Sequence, residues 1–223
     1  GSLALTGLGV TLPVITLVAA FAALVGFGGA PRAAIAMGKG ENGTAEQILG
    51  NCVFSLGCLA AVLTVVFFLF AEPILYAFGA SEDTIIYGLP YLRIYVCGSI
   101  CVMFTTGLNA FITSQGFAGI GMRTVMIGAG LNIVLDPIFI FGFGMGVRGA
   151  ALATVLSQAV SAFWVIRFLT GKKTLLHIKK KNLRFVPGIM GPVLALGISA
   201  FSMESTERLQ SVFFNTSLER DGG

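Results

Sequence analysis

An apolar run with a single carboxylate in it spans residues 128–146, GAGLNIVLDPIFIFGFGMG. The carboxylate is Asp136, and the helix breaker Pro137 follows it directly. Such a run is long enough to cross the hydrocarbon core of a membrane, which takes about 20 residues. A charged side chain at membrane depth costs on the order of 3 kcal/mol and usually faces a protein cavity. The run therefore predicts a membrane helix in which the aspartate has a function.

The composition of the whole chain is that of a membrane protein. Its 223 residues are 56% hydrophobic and only 11% charged, with a mean hydropathy of +0.91. A soluble domain carries about 25% charged residues, so this chain lacks the polar side chains to cover a water-facing surface. The formal net charge of +4 does not indicate a nucleic-acid partner, because here the position of the charge matters more than its sum.

Six apolar stretches are long enough to cross a bilayer. They cover residues 7–36, 50–71, 86–113, 119–142, 148–170 and 187–214. The first is longer than necessary, and we expect Pro13 to kink it and its end to continue as helix into the headgroup region. The expected fold class is an all-α multi-pass membrane protein with six transmembrane helices.

The basic residues lie in alternate loops between these spans. The charged residues of the second loop are all acidic, and the fourth loop carries a single basic residue, Arg148. The positive-inside rule then places the first, third and fifth loops in the cytoplasm. The first span would run from outside to inside, so we expect an odd number of spans before residue 1, in a longer protein. The fifth loop also fits a lipid-binding patch, which is compatible with a connector. The odd-numbered loops carry Arg32, Lys39, Arg123, Lys172, Lys173, Lys179, Lys180, Lys181 and Arg184.

The residues needed for common enzyme chemistry are scarce. His177 is the single histidine and lies in a lysine-rich stretch, where we expect it to be solvated. The four cysteines, in apolar runs, have neither zinc-ribbon nor CxxC spacing. With no nucleophile–base pair and no metal-ligand set, the sequence favours neither an enzyme nor a cofactor.

Asp136 shares a helix face with Asn132, four residues earlier. Pro137 has no N–H, so the carbonyl of Ile133 loses its usual helical partner. A carboxylate, an amide oxygen and a bare carbonyl are hard oxygen ligands, suited to a sodium ion or a proton. The alternative is that Asp136 marks the outer end of its helix and caps a turn.

Two further polar residues are predicted at the depth of Asp136. Tyr91 lies five or six residues into the third span and Thr154 a similar distance into the fifth. At 1.5 Å per residue, these three side chains lie roughly 10 Å below the outer surface. Tyr91 is otherwise explained as an interfacial tyrosine, and Thr154 as a helix-packing residue.

The sixth span holds a second acidic pair, Glu204 and Glu207, on one helix face beside Arg208. An ion pair of Glu204 with Arg208 is one interpretation. A Glu207 that faces a cavity as a cation site is the other.

Several motifs resemble the MATE family of multidrug and toxic compound extrusion transporters, in its bacterial branch. The resemblance covers nearly the whole chain, and the motif that begins at Leu131 is specific. The motifs are GGAPRAAIAMGKGE, AEQILGN, YLRIYVCG, NAFITSQG and LNIVLDPIFIFGFGMGVRGAALATVLSQ.

The resemblance implies a twelve-helix transporter of two six-helix lobes with a V-shaped cavity between them. This chain would supply the second to seventh helices. Residues 1–170 would form five helices of the amino-terminal lobe, 171–186 the cytoplasmic connector, and 187–223 the truncated first helix of the carboxy-terminal lobe. The partners would be the lipid bilayer, the remaining helices and an organic cation or drug.

The resemblance also implies a function, export of that cation across a prokaryotic plasma membrane, coupled to inward flow of sodium ions or protons. Asp136, Asn132, Tyr91 and Thr154 match the ion-coupling positions of the amino-terminal lobe, and Pro137 would let the helix bend. Glu207 falls near a seventh-helix glutamate that some members use, with Glu204 as the alternative.

Two other functions stay open. A flippase for a lipid-linked oligosaccharide, from a related fold, would need a cavity lined with Arg and Lys. An ion channel would need a pore-lining repeat of polar residues in every subunit. A non-transporting structural subunit would have no transport site.

Overall fold

The computed structural model of the protein describes residues 2–199 and 202. Within this part of the chain the secondary structure is helical. A π-helical turn, Ile138–Gly142, follows α7, and a short 3-10 turn, Lys180–Asn182, lies between α8 and α9. The helices are α1 (Ser2–Gly9), α2 (Leu12–Gly38), α3 (Asn42–Leu69), α4 (Ala71–Ala77), α5 (Glu82–Cys97), α6 (Ser99–Ser114), α7 (Ala118–Pro137), α8 (Val147–Leu169) and α9 (Pro187–Ser199).

Four helices in the described residues are long and apolar enough to cross a membrane, and α5 with α6 form a bent fifth span. The first of the four combines α1 and α2, and the others are α3, α7 with its π turn, and α8. These five correspond to the first five predicted spans. Of the sixth, the structure describes the helix Pro187–Ser199, and the remainder of 187–214 lies outside the described residues apart from Ser202.

The first span is interrupted near Pro13, as predicted. Helix α1 ends at Gly9, and the Thr11 hydroxyl donates a hydrogen bond of 2.6 Å to the Leu8 carbonyl in the break. Pro13 then occupies the first turn of α2, where a missing N–H costs nothing. The helix runs on to Gly38, beyond the predicted end of the span at residue 36.

The span predicted over residues 86–113 is bent, which the sequence did not indicate. The segment consists of α5 and α6, which meet at Gly98 with a bend of 56°. A Cβ atom at Gly98 would lie 2.5 Å from the side chain of Val155, so glycine lets α8 approach the bend closely. Helix α5 also begins earlier than predicted, at Glu82, because Ser81 and Thr84 form a capping box there.

Helix α6 lies inside the bundle and contacts α2, α3, α7 and α8. Small residues bring these helices together: a Cβ atom at Gly26 of α2 would lie 2.7 Å from the carbonyl oxygen of Gly107 of α6. Leu49, Leu56 and Phe111 are fully buried in the core. Large apolar side chains cover the outside of the bundle, as in a protein solvated by lipid.

Candidate functional site

One face of α7 carries small and polar residues at four-residue intervals. These are Thr124, Gly128, Asn132 and Asp136. A Cβ atom at Gly128 would lie 2.8 Å from the hydroxyl of Ser161, and the Ser161 hydroxyl donates to the Thr124 carbonyl at 3.2 Å. The small face therefore lets α8 pack closely along α7, and this contact brings polar side chains of α8 beside Asn132.

Asn132 lies between the two side chains predicted to accompany it. Its amide nitrogen donates long hydrogen bonds to Asp136 Oδ1, at 3.4 Å, and to Thr154 Oγ1, at 3.5 Å. The Thr154 hydroxyl in turn donates to the Ala150 carbonyl at 3.0 Å, which fixes its rotamer. The Tyr91 phenol lies close enough to the Thr154 side chain and to Asp136 to interact with both. The structure thus brings Asn132 together with Asp136, Tyr91 and Thr154, the three residues that the sequence placed at one depth.

The position of Tyr91 along its helix differs from the prediction. Because α5 begins at Glu82 and not at residue 86, Tyr91 lies further from the start of its helix than predicted. It is also 8% exposed and stacks against Tyr95, with ring centroids 6.3 Å apart. These contacts are those of a buried residue and not of an interfacial tyrosine.

The helix changes its winding directly after Asp136. Pro137 is the last residue of α7, and the chain continues as the π turn Ile138–Gly142. A proline removes the N–H that would hold the preceding turn, and π turns often lie at functional sites. The first turn of α8 packs on this segment, since a Cβ atom at Gly149 would lie 2.7 Å from the Phe139 carbonyl. Asp136 therefore lies at a change of helical geometry that α8 supports.

A cavity of about 920 Å³ opens beside this cluster, between α2, α6, α7 and α8. It reaches from Asn132 and Thr154 to Thr113 and Ser114, at the end of α6 that precedes the third loop. No ionisable side chain lines it among the described residues. Its polar lining consists of Thr105, Thr106, Asn109, Thr113, Ser114, Thr124, Asn132, Thr154, Ser157, Gln158 and Ser161.

Two lining residues present buried polar atoms without a protein partner. The Asn109 amide nitrogen donates to the Gly121 carbonyl at 3.2 Å, while its Oδ1 has no hydrogen-bond partner in the described part of the chain. The Ser157 hydroxyl, in a side chain that is 1% exposed, likewise has none there. Buried polar atoms of this kind usually bind water or a ligand. Asn109 was missed from the sequence, although Thr105, Asn109 and Thr113 follow each other at four-residue spacing on α6.

Glu46, near the start of α3, is a buried carboxylate that no sequence pattern singles out. It pairs with Lys179, accepts a hydrogen bond of 3.3 Å from the His177 backbone N–H, and lies 3.5 Å from the imidazole Nδ1. His177 is thus partly exposed and in contact with Glu46, where the sequence predicted it solvated. This cluster attaches the segment after α8 to α3 and is remote from Asp136 in the sequence.

The remaining predicted residues are placed as follows. Glu204 and Glu207 lie outside the described residues. The four cysteines are free, and no group of three His, Cys, Asp or Glu side chains that could hold a metal occurs in residues 2–199.

Curated relatives of this chain are named multidrug export proteins, and the solved structures that resemble it include MATE transporters. A Staphylococcus haemolyticus protein named multidrug export protein MepA is 28% identical over 89% of this chain, and a Staphylococcus aureus MepA is 25% identical over the same share. The chain spans 44% of the length of each.

Among solved structures, a MATE transporter in its bent conformation has a TM-score of 0.88 at 26% identity. It covers 98% of this chain and 49% of its own length. An inward-facing multidrug resistance MATE transporter of the MOP superfamily has a TM-score of 0.85 at 27% identity, over 90% of this chain and 46% of its own. The MatE family model matches residues 1–138. The helical fold, the buried polar cluster around Asn132 and these matches agree: the chain belongs to the MatE family of multi-pass membrane transporters.

Proposed function

We propose that the full-length protein is a cation-coupled antiporter that exports organic cations or drugs, with a sodium ion or a proton as the coupling ion at Asp136. The observation that carries the proposal is the cluster of Asn132, Asp136, Thr154 and Tyr91 at the end of an uncharged cavity. The relatives named multidrug export proteins support the exported class. The bound ion is the only coupling group required, and no cofactor is needed.

The cluster supplies oxygen atoms of three kinds around one carboxylate. The Asp136 carboxylate, the Asn132 amide oxygen and the hydroxyls of Thr154 and Tyr91 are hard ligands that suit a sodium ion. The same carboxylate can bind a proton, since a neutral acid is less costly at membrane depth than a charged one. Both ions remove the negative charge from the cavity end, so either can oppose the binding of a cationic drug there.

Coupling requires that the ion bind one conformation better than the other. Pro137 and the π turn give α7 a place at which its winding can change next to the ion ligand. An ion at Asp136 would favour the winding that brings the ligands together, and its release would favour the other. A shift from 1:99 to 99:1 needs a preference of about 10⁴-fold, which a charge neutralised in a water-poor site can supply.

The chemistry of the cavity favours a drug exporter over the lipid-linked oligosaccharide flippase. A pyrophosphate-linked substrate requires Lys or Arg in the cavity wall, and the described lining contains none. Its hydroxyl and amide groups beside Phe27 and Val125 instead suit an amphipathic cation. A cavity with unpartnered polar atoms next to a carboxylate also argues against a purely structural subunit.

We place the transporter in a prokaryotic plasma membrane, with the connector 171–186 and the end of the cavity at Thr113 and Ser114 on the cytoplasmic side. The basic connector supports this orientation under the positive-inside rule. Drug would then enter from the cytoplasm and the coupling ion from outside, where Asp136 lies nearer to the end of its span.

The test is ethidium efflux from cells that express the full-length transporter, with sodium and pH varied separately. We expect Asp136→Asn to lower the efflux rate by about tenfold or more, because hydrogen bonds and ion contacts to a charged group contribute about 1.5–3 kcal/mol. The matched control is Asp83→Asn, an exposed carboxylate in the first turn of α5, which should leave efflux unchanged. The ion that stimulates the wild type identifies the coupling ion. Normal efflux and ion dependence in Asp136→Asn would rule out this coupling site.

A further inference from the structure

A second cavity, of about 490 Å³, lies between α2, α3 and α9, away from Asp136. Its walls are hydrocarbon apart from the Ser55 hydroxyl and the Cys58 thiol, and Phe185 of the connector closes one end. Phe54 is 39% exposed and Val62 is 58% exposed, so the cavity opens to the outside of the bundle as a groove. An apolar opening of this kind suits a lipid chain.

The groove follows one face of α3 away from the connector. Gly50, Phe54, Cys58 and Val62 recur at four-residue intervals and therefore share that face. The distance from Phe54 to Val62, the α3 residues at the two ends of the groove, is about 12 Å along the helix at 1.5 Å per residue. One leaflet of the hydrocarbon core is about 15 Å thick, half of the usual 30 Å. The groove thus spans most of the depth over which one acyl chain of that leaflet lies.

The connector is fixed directly above the groove. Asn182 packs against Gly50, where a Cβ atom would overlap it, and Asn182 is 5% exposed. The Val186 N–H donates a hydrogen bond of 2.7 Å to Asn51 Oδ1. These contacts hold the residues between Asn182 and Val186 against the first half of α3, so Arg184 and Phe185 have fixed positions at the mouth of the groove.

The charge at this mouth is positive. Lys180, Lys181 and Arg184 are exposed, and residues 171–186 contain no aspartate or glutamate. Glu46, the carboxylate that contacts the connector, is already paired with Lys179. Three cations above an apolar groove that spans most of one leaflet match the two parts of an anionic phospholipid.

We propose that this groove binds an anionic phospholipid from the leaflet on the connector side. Lys180, Lys181 and Arg184 bind the headgroup phosphate, and one acyl chain lies along Phe54, Cys58 and Val62. The lipid contacts α2, α3 and α9 together, so it stabilises α9 against the rest of the bundle. This inference is independent of ion coupling at Asp136.

The binding test uses the purified full-length transporter, stripped of lipid in detergent and titrated with dioleoyl phosphatidylglycerol or dioleoyl phosphatidylcholine. Native mass spectrometry measures the bound lipid. We expect saturable binding of one phosphatidylglycerol that is at least tenfold tighter than that of phosphatidylcholine. Lys180→Gln with Lys181→Gln should weaken it about thirtyfold, since each basic residue near an anionic surface contributes about 1 kcal/mol and the two together about 2 kcal/mol. The matched control is Lys172→Gln with Lys173→Gln, two equally exposed lysines of the same connector that precede its attachment to α6, which should leave binding unchanged.

A second variant tests the acyl-chain half of the site. Cys58→Trp fills the groove without changing its charge, and we expect it to abolish the tight phosphatidylglycerol site, while ethidium efflux reports that the transporter is folded. If Cys58→Trp misfolds, Val62→Trp, at the open end of the groove, replaces it. Equal affinity for the two lipids, equal loss in both lysine pairs, or normal binding with the groove filled would each overturn the proposal.

Discussion

The candidate ion site depends on the side-chain amide of Asn132. Its nitrogen contacts both Asp136 and Thr154, and Thr154 contacts Tyr91. The spacing of Asn132 and Asp136 was predictable because four residues is one helical turn. Thr154 and Tyr91 lie on other helices than Asp136. The sequence could therefore predict only that they lie at the same depth in the membrane as Asp136.

Replacing Asn132 should weaken ion binding without removing the charge. In Asn132→Ala, Asp136 loses a hydrogen-bond donor, and the site loses an amide oxygen. We expect the concentration of coupling ion that gives half-maximal efflux to rise about tenfold, because a hydrogen bond to a charged group contributes about 1.5–3 kcal/mol. Ethidium efflux against sodium concentration and against pH measures this. Asn42→Ala, at the exposed start of α3, is the control. An unchanged ion dependence would show that Asn132 has no part in the site.

Other residues escaped sequence analysis for a common physical reason. Glu46 and Lys179 are 133 residues apart, and no local pattern pairs them. Gln115 follows a predicted span and looks like an ordinary loop residue, yet its side chain binds Thr174, Leu175 and Leu176 of the connector. In both cases the partner is brought close by the packing of whole helices, which neither spacing nor hydropathy contains.

Helix α7 with its π turn is the element in which the sequence and the structure agree most closely. The span predicted over residues 119–142 is observed over Ala118–Gly142, and a change of winding follows Pro137 directly. That the helix bends at Pro137 stays a prediction. The bend between α5 and α6 was not predicted. It depends on Val155 of α8 lying against Gly98, a contact that a single span read in isolation cannot reveal.

Pro137→Ala tests whether that change of winding is used in transport. Alanine restores the N–H that can bond the Ile133 carbonyl, so we expect a regular α-helix through this region. A proline inside a helix costs about 3 kcal/mol, and the substitution should therefore raise or maintain the melting temperature. Because the bendable point is lost, the efflux rate should fall several-fold although Asp136 is intact.

The control for this variant is Pro13→Ala. Pro13 lies in the first turn of α2, where its missing N–H breaks no helical hydrogen bond. It should leave both the melting temperature and efflux nearly unchanged. Full efflux in Pro137→Ala at normal expression would mean that a regular helix serves as well, and bending at Pro137 would then have no role in coupling.

The whole molecule is a bundle with a polar interior and an attached connector. The cavity runs from Thr113 and Ser114, near the connector, to Asn132. Polar side chains therefore line the whole path between the connector and the candidate ion site. The connector does not hang free between the spans. Leu176 is fully buried. Gln115, directly after α6, accepts a hydrogen bond from the Leu176 N–H, and Glu46 of α3 accepts one from the His177 N–H. Movements of α3 or α6 would therefore be passed directly to the chain that leads into α9.

Gln115 is the strongest single attachment of the connector. Its Nε2 donates to the Phe111 carbonyl at 3.0 Å, which aims Oε1 at the connector. Oε1 then accepts hydrogen bonds from the Thr174 hydroxyl at 2.9 Å and from the backbone N–H groups of Leu175 and Leu176 at 2.8 and 3.0 Å. In Gln115→Ala the buried N–H of Leu176 loses its acceptor, at a cost of about 1–3 kcal/mol.

Because that cost falls on a local segment, the connector should open more often while the bundle stays folded. Trypsin cleavage after the exposed lysines 179–181 of the purified full-length transporter reports this opening, and we expect it to be about tenfold faster in Gln115→Ala, as a cost of about 1.4 kcal/mol implies. Gln47→Ala, which removes an exposed glutamine near the start of α3, should cleave at the wild-type rate. Equal rates in all three proteins would mean that Gln115 does not hold the connector. Faster cleavage together with normal efflux would show that the attachment can loosen without affecting transport. Coupling to α9 would then have to run through the contacts between α2 and α9.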